Sequence, residues 1–191
     1  MSETVGEPRS VEEARACEER GERLKYVFFW GHQAARPGRI DKSCLSQWSE
    51  HPFTVEGVTY RTAEHWMMAG KARLFGDEEV LARIVAAPHP KAAKDLGRRV
   101  RGYDEETWAA HRSDIVTAGN VAKFGQDPAL KEYLLGTGGR VLVEASPLDR
   151  IWGIGLPADD ERAVRPSQWR GLNLLGFALM RARADLSAAT R

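Results

Sequence analysis

The amino-acid sequence predicts a helix-rich α+β fold, a single domain with a small antiparallel sheet, and three observations carry that expectation. Trp108, Arg112, Ile115, Gly119 and Ala122 recur at the spacing of one helix face. Short aromatic and β-branched runs, such as Tyr26-Val-Phe-Phe-Trp30 and Val141-Leu-Val-Glu144, read by composition as buried strands. Capping residues, prolines and glycines punctuate the rest, and 191 residues suffice for one sizeable core.

Taken in order, Ser10 with Glu13 three residues later resembles a capping box. It opens a solvated, peripheral helix over residues 12–25. The strand 26–30 leads into a polar loop containing Pro37, Gly38 and Asp41. Loop and strand then alternate through Leu45-Ser-Gln-Trp48 and a hairpin over 53–60. Thr62 caps a helix reaching Phe75, with Glu64 in the first turn, where the backbone dipole favours a carboxylate. Helices follow over 78–87, stopped by Pro88, and over 91–98, left by the basic run Arg98-Arg99-Val-Arg101. The long amphipathic helix covers about 105–124, and Asp127-Pro128 starts another that ends at Gly136-Thr-Gly-Gly139. After strand 141–144 comes the glycine-rich loop Asp149-Arg-Ile-Trp152-Gly-Ile-Gly155. A closing helix carries Leu172, Leu175 or Gly176, Leu179, Met180 and Arg183 on one stripe. The expected organisation is an N-terminal extension over 1–25, the domain over 26–186 and a tail over 187–191, with residues 1–9 and those after Leu186 polar enough to fray.

Charge and cysteine content narrow the function. Lys and Arg total 28 against 27 Asp and Glu, a net charge of +1, so bulk electrostatics give no reason to bind nucleic acid or a membrane. Cys17 and Cys44 form no metal or disulfide pattern, and no histidine pair has metal-ligand spacing; the sequence requires no metal or organic cofactor. Without a signal-like start or a spanning apolar run, a cytoplasmic location is expected, with no membrane partner.

The segment Thr62-Ala-Glu64-His-Trp66-Met-Met-Ala-Gly-Lys71 carries the chemistry. Glu64 and Lys71 lie seven residues apart, close to two turns, on one face with Met68 between them and roughly 10 Å separating them along the axis. Two readings of Lys71 stand side by side. It pairs with Glu64 or snorkels to solvent, or it is desolvated among Met67, Met68, Ala69 and Phe75 and becomes a neutral nucleophile. Glu64 is either a first-turn dipole partner or a general acid or base, or an acceptor for ribose hydroxyls. Asp149 sits just past a strand, where loops hold catalytic groups, or else merely caps a turn. Six tryptophans exceed what core packing needs, and their rings suit stacking on flat bases; Arg98, Arg99 and Arg101 either hold a phosphate or form a solvated basic turn.

Several short motifs in register resemble the NADAR, or YbiA-like, family. They are Leu45-Ser-Gln-Trp48, Tyr60-Arg-Thr-Ala-Glu64-His-Trp66, Lys71, Lys94-Asp-Leu-Gly97-Arg98, Trp108 and Arg112. Lys123-Phe124, Leu135-Gly-Thr137-Gly138, Leu142-Val-Glu144, Asp149-Arg-Ile-Trp152-Gly153 and Gly171-Leu-Asn173-Leu-Leu175-Gly176 continue the match over residues 26–186. The resemblance implies a YbiA-like α+β domain that cleaves N-glycosidic bonds at a ribose. Its glutamate, tryptophan and aspartate fall on Glu64, Trp108 and Asp149, and its proposed catalytic lysine on Lys71. Trp48, Trp152, Gly153 and Asn173 are then expected to contact substrate, with Arg112, Asn120 and Lys123 meeting a phosphate. Where many members have Ser-Asn-Phe this chain has Ser46-Gln47-Trp48, and where many have an aromatic pair after Glu-His it has Trp66-Met67; both differences bear on substrate choice.

Three functions compete at this level. The first is hydrolysis of phosphorylated ribosylamino-pyrimidine intermediates of riboflavin biosynthesis. The second is removal of ADP-ribose from guanine in nucleic acid. The third is a non-catalytic module that reads NAD or ADP-ribose. Binding of bare nucleic acid through Arg98 to Arg101 is disfavoured by the neutral net charge.

Overall fold

The computed structural model describes residues 6–189. The first helix, α1 (Val11–Glu19), is shorter than expected. Gly21 takes a left-handed conformation, and Glu22 N–H returns to Cys17 O at 3.0 Å, closing the helix a full turn or more before Lys25. Ser10 accepts from Glu13 N–H as the box predicts, although the Glu13 carboxylate reaches Arg9 N–H at 2.7 Å. The segment is firmly attached. Arg15 donates to Pro166 O and Trp169 O, and Glu7 pairs with Arg183 at 2.6 Å.

β1 (Tyr26–Phe29) leads to a 3-10 turn, Lys42–Leu45, capped by the Asp41 side chain. No strand forms through Leu45–Trp48, because Cys44 N–H and Ser46 N–H are taken by carbonyls three residues back. β2 (Phe53–Val55) and β3 (Val58–Tyr60) make the expected antiparallel hairpin. Glu56 and Gly57 both have positive φ, at 50° and 79°, the two-residue turn whose twist matches the strands.

The helices then follow closely the order the sequence suggests: α2 (Ala63–Leu74), α3 (Glu78–Val85), α4 (Pro90–Gly97), α5 (Glu105–Gln126) and α6 (Pro128–Gly136). β4 (Val141–Glu144) precedes a long irregular stretch and α7 (Leu174–Ala188), which continues into the expected tail. α7 packs on both α5 and β4, and α2 lies against α3, α4 and α5.

The hairpin accounts for the antiparallel part of the expected sheet. β4 does something else: it pairs with β1 in parallel, Tyr26 opposite Val141 and Phe29 opposite Glu144. Val141, Leu142 and Val143 are all buried, as befits a parallel strand covered on both faces. This pairing sets the first strand beside the strand that follows α6, and the carboxyl end of β4 meets α2 around one cavity.

Candidate active site

A cavity of about 140 Å3 lies where α2, α4, α5 and the carboxyl end of β4 converge, and Glu64, Lys71, Lys94, Trp108, Glu144 and Asp149 all line it. Trp48 and Gln47 from the loop before the hairpin, Met67 and Met68 from α2, and Trp152 complete most of its wall. The volume is well below the ~300–1,000 Å3 that engulfs a drug-sized ligand. It suits one end of a molecule whose remainder lies outside.

Local sequence fixes each contributor. Thr62 Oγ1 caps α2 and bonds His65 Nδ1 at 2.8 Å, while His65 Nε2 meets Ala87 O, so this buried histidine is structural. Glu64 N–H, free at the first turn, donates to Gln47 O at 2.9 Å and ties the helix start to the cavity loop. Glu64 is 2 % exposed, and among the described residues its buried Oε1 has no hydrogen-bond partner. Burial pushes its carboxyl up to about 7; Lys94, the Trp48 side chain and Arg98 oppose the rise and Asp149 adds to it.

Lys71, seven residues on, shares the cavity with Glu64 without bonding to it. Its amine sits 4.0 Å from the centroid of the Tyr103 ring and 5.7 Å from that of Trp108. Among the described residues it has no ion-pair partner. Burial lowers its pKa below the ordinary lysine value, and Glu105 resists the change. The helical spacing therefore places an amine of weakened basicity and a carboxyl of weakened acidity around one small space.

Asp149 caps its turn and also borders the cavity. Oδ1 accepts from Ile151 N–H at 2.8 Å and Trp152 N–H at 2.7 Å. Of the expected substrate contacts, Trp48, Trp108 and Trp152 reach the cavity.

The others stand behind it. Asn120 donates to Gln47 Oε1 at 3.1 Å, holding a residue whose own buried Nε2 has no partner among the described residues. Lys123 is 1 % exposed and donates to Cys44 O, Ser46 O and Ser49 Oγ at 2.6, 3.0 and 2.8 Å. Burial pushes its amine down to about 7, yet three acceptors match the three hydrogens of an ammonium. All its donors are spent on the loop, which leaves none for a phosphate. Arg112 faces Glu105 at 3.7 Å, Asn173 clamps β4, and Gly153 contributes close backbone packing. Of the basic run, Arg101 is taken by Asp77 and Glu79, and Arg98 by Asp95.

Sequence reasoning quoted Glu144, Lys94 and Gln47 within motifs, Gln47 as bearing on substrate choice, and gave none of them a role in the cavity. The available signal was a charged residue ending the apolar run Val141-Leu-Val, at the carboxyl end of a strand, where ligands of α/β sheets gather. Among the described residues no group of three or more His, Cys, Asp or Glu could hold a metal ion, and no helix is long and apolar enough to cross a membrane. A larger cavity of about 270 Å3 lies beside Arg61, His65 and His89, but these side chains are already engaged by Pro88 O, Ala87 O and Ala92 N–H.

The model of the NADAR domain matches residues 28–187, nearly the whole chain. This chain belongs to the NADAR domain family. An N-glycosidase of Acanthamoeba polyphaga mimivirus is 43% identical over 166 residues, covering 84% of this chain and 96% of the viral protein. A Nostoc punctiforme N-glycosidase is 31% identical, covering 75% of this chain and 85% of its own. The chloroplastic riboflavin biosynthesis protein PYRR of Zea mays is 33% identical over 67% of this chain, which spans 20% of that protein. The solved NMR structure of Escherichia coli YbiA aligns with a TM-score of 0.68 at 25% identity, covering 87% of each chain. The helix-rich fold with small sheets is thus the NADAR fold.

Proposed function

We propose that this chain is a hydrolase of N-glycosidic bonds between a ribose and a nitrogenous base, acting on phosphorylated ribosylamino-pyrimidines of the kind met in riboflavin biosynthesis. The observation that carries the reading is the Lys71 amine, without an ion pair among the described residues and held over aromatic rings, in the same small cavity as the buried Glu64 carboxyl. The N-glycosidase names of relatives and the riboflavin name of the maize protein support it.

Neutral Lys71 attacks C1 as the base departs, and its lone pair stabilises the positive charge that develops there. A ring-opened iminium results, which water resolves. Glu64, with a pKa near neutrality, moves protons at the ring oxygen, while the Asp149 carboxylate orients the sugar. Trp108 walls the pocket beside the amine, and Trp48 and Trp152 flank the departing base. Lys94 lines the cavity and, with no salt bridge of its own among the described residues, is the cation best placed for the phosphate.

Borohydride added during turnover tests this directly. Wild type is expected to retain a reduced sugar adduct that Lys71→Ala lacks, with turnover falling in parallel. Full turnover by Lys71→Ala overturns the amine as nucleophile. A panel setting ribosylamino-pyrimidine phosphates against ADP-ribosylated guanosine decides the leaving group, since the chemistry at C1 is common to both. Tight ADP-ribose binding without turnover of either overturns catalysis in favour of a reader.

A further inference from the structure

The mechanism above leaves one proton unassigned. A base leaving from C1 as an anion is a poor leaving group and needs a proton on its nitrogen as the bond breaks. Glu64 is engaged at the ring oxygen, and Asp149 has Oδ1 committed as an acceptor to two N–H groups.

Glu144 closes the inventory of carboxyls lining the cavity. Its Oε2 is buried and has no hydrogen-bond partner among the described residues, and the same holds for Oε1 of Glu64 in the same cavity. Its backbone is fixed on both sides. Glu144 N–H donates to Asn173 Oδ1 at 3.0 Å, and Glu144 O accepts from Ile154 N–H at 3.0 Å.

The clamp itself is costly to build. Asn173 takes a left-handed backbone (φ 52°) and returns Nδ2 to Leu142 O at 2.9 Å. A Cβ at Gly176 would lie 2.0 Å from Leu142 O, and one at Gly153 would lie 2.8 Å from Glu144 O. Two residues expected to touch substrate, Gly153 and Asn173, instead hold this one strand end in register. So much local constraint at a residue with an unsatisfied buried oxygen is what proton transfer at a fixed atom demands.

From this geometry we infer that Glu144 is a catalytic residue, the general acid that protonates the leaving nitrogen. The inference rests on the N-glycosidase reading. As the C1–N bond breaks, its electron pair stays with the base, which takes the Glu144 proton. The Lys71 lone pair forms the new bond to C1, and the ammonium so formed gives a proton to the Glu64 carboxylate. Glu64 passes that proton to the ring oxygen as the ring opens to the iminium. Water then adds to C1, returning its proton to Glu144, and the carbinolamine collapses to free sugar and neutral Lys71.

The groups facing Glu144 agree with an acid held protonated near neutral pH. Burial, with Asp149 and Glu64 adjacent, pushes its carboxyl up to about 8, and Lys94 on α4 opposes. Lys71 on α2 lines the same cavity.

The test compares Glu144→Gln with wild type on two ribosyl donors. One is a ribosylamino-pyrimidine, whose leaving nitrogen needs a proton. The other is an N-ribosylpyridinium, which leaves neutral without one. Glu144→Gln is expected to lose ~10²–10⁴ in kcat on the first and less than tenfold on the second. Wild-type kcat should fall above pH 8, and the variant should lack that limb. Equal losses on both donors, or a retained limb, assign Glu144 a structural role and overturn the inference, as does full activity of the variant. Glu144→Asp, which keeps the acid but shortens its reach, guards against misfolding: it should keep the alkaline limb at a lower rate, and its loss of that limb counts against the assignment. Failure of wild type on both donors overturns the glycosidase reading itself, which is a different result.

Discussion

Replacing Glu64 by Gln separates the energetics of the cavity from its chemistry. The carboxyl is 2 % exposed, and its ordinary value of 4.5 is pushed up to about 7 by burial. Between those two pH values the folded chain binds a proton that the unfolded chain has released. Wild-type stability therefore declines as pH rises through this window, with no penalty below 4.5 and the full penalty above 7. At ~1.4 kcal/mol per pH unit the penalty is about 3 kcal/mol. Gln keeps the shape and never ionises. Urea unfolding at pH 5, just inside the window, and at pH 8.5 should thus show Glu64→Gln gaining about 2.5 kcal/mol relative to wild type between the two conditions. The double difference cancels any packing cost common to both. Turnover should meanwhile drop by ~10²-fold or more, since Gln carries no transferable proton. A stability difference that stays constant with pH, within ~0.5 kcal/mol, refutes the argument, because it means the charged form costs nothing in this cavity.

Other perturbations probe the support of the site. Lys123→Met leaves Cys44 O, Ser46 O and Ser49 Oγ without their shared donor but also removes an amine whose charged form burial disfavours, and should cost ~1–3 kcal/mol in urea unfolding and lower kcat through the loosened Ser46–Trp48 loop. Unchanged kcat would sever that loop from catalysis. Asn173→Ala strips Glu144 N–H and Leu142 O of their side-chain partner, for ~2–5 kcal/mol by the same assay. It should reduce kcat more than it raises KM, since it acts on a proton donor rather than on binding. Gly176→Ala, whose Cβ falls 2.0 Å from Leu142 O, should destabilise more than Asn173→Ala, and a smaller loss in calorimetry would show that α7 slides freely on β4.

Much of this fold was legible because its signals are local. Thr62 and Asp127 cap helices two or three residues downstream, and Glu56-Gly57 sets the hairpin, so each reads from a handful of neighbours. The parallel pairing of β1 with β4 was not legible. Its partners are separated by five helices, and nothing in Tyr26-Val-Phe-Phe states a direction. α1 was overextended for a different reason. Glu and Arg propensity persists past Glu19, and Gly21 ends the helix against it.

The candidate site divides along the same line. Glu64 and Lys71 share one helix, so spacing alone brings them to one cavity, and the three tryptophans that line it follow from the motifs around them. Asn120 and Lys123 share a helix too, but their partners lie on the loop at residues 44–49. A buried lysine looks the same in sequence whether its acceptors are phosphate oxygens or carbonyls contributed from afar. Glu144 is the converse case. It reads as the polar end of an apolar strand until β4 is placed beside β1 and Asn173 is seen to reach back to it. The residues that hold the site lie on several elements because a cavity this small must be closed from every side. Non-local packing that hides Glu144 in the sequence also buries its Oε2 away from any hydrogen-bond partner among the described residues, and the proton-donor role proposed for it rests on that packing.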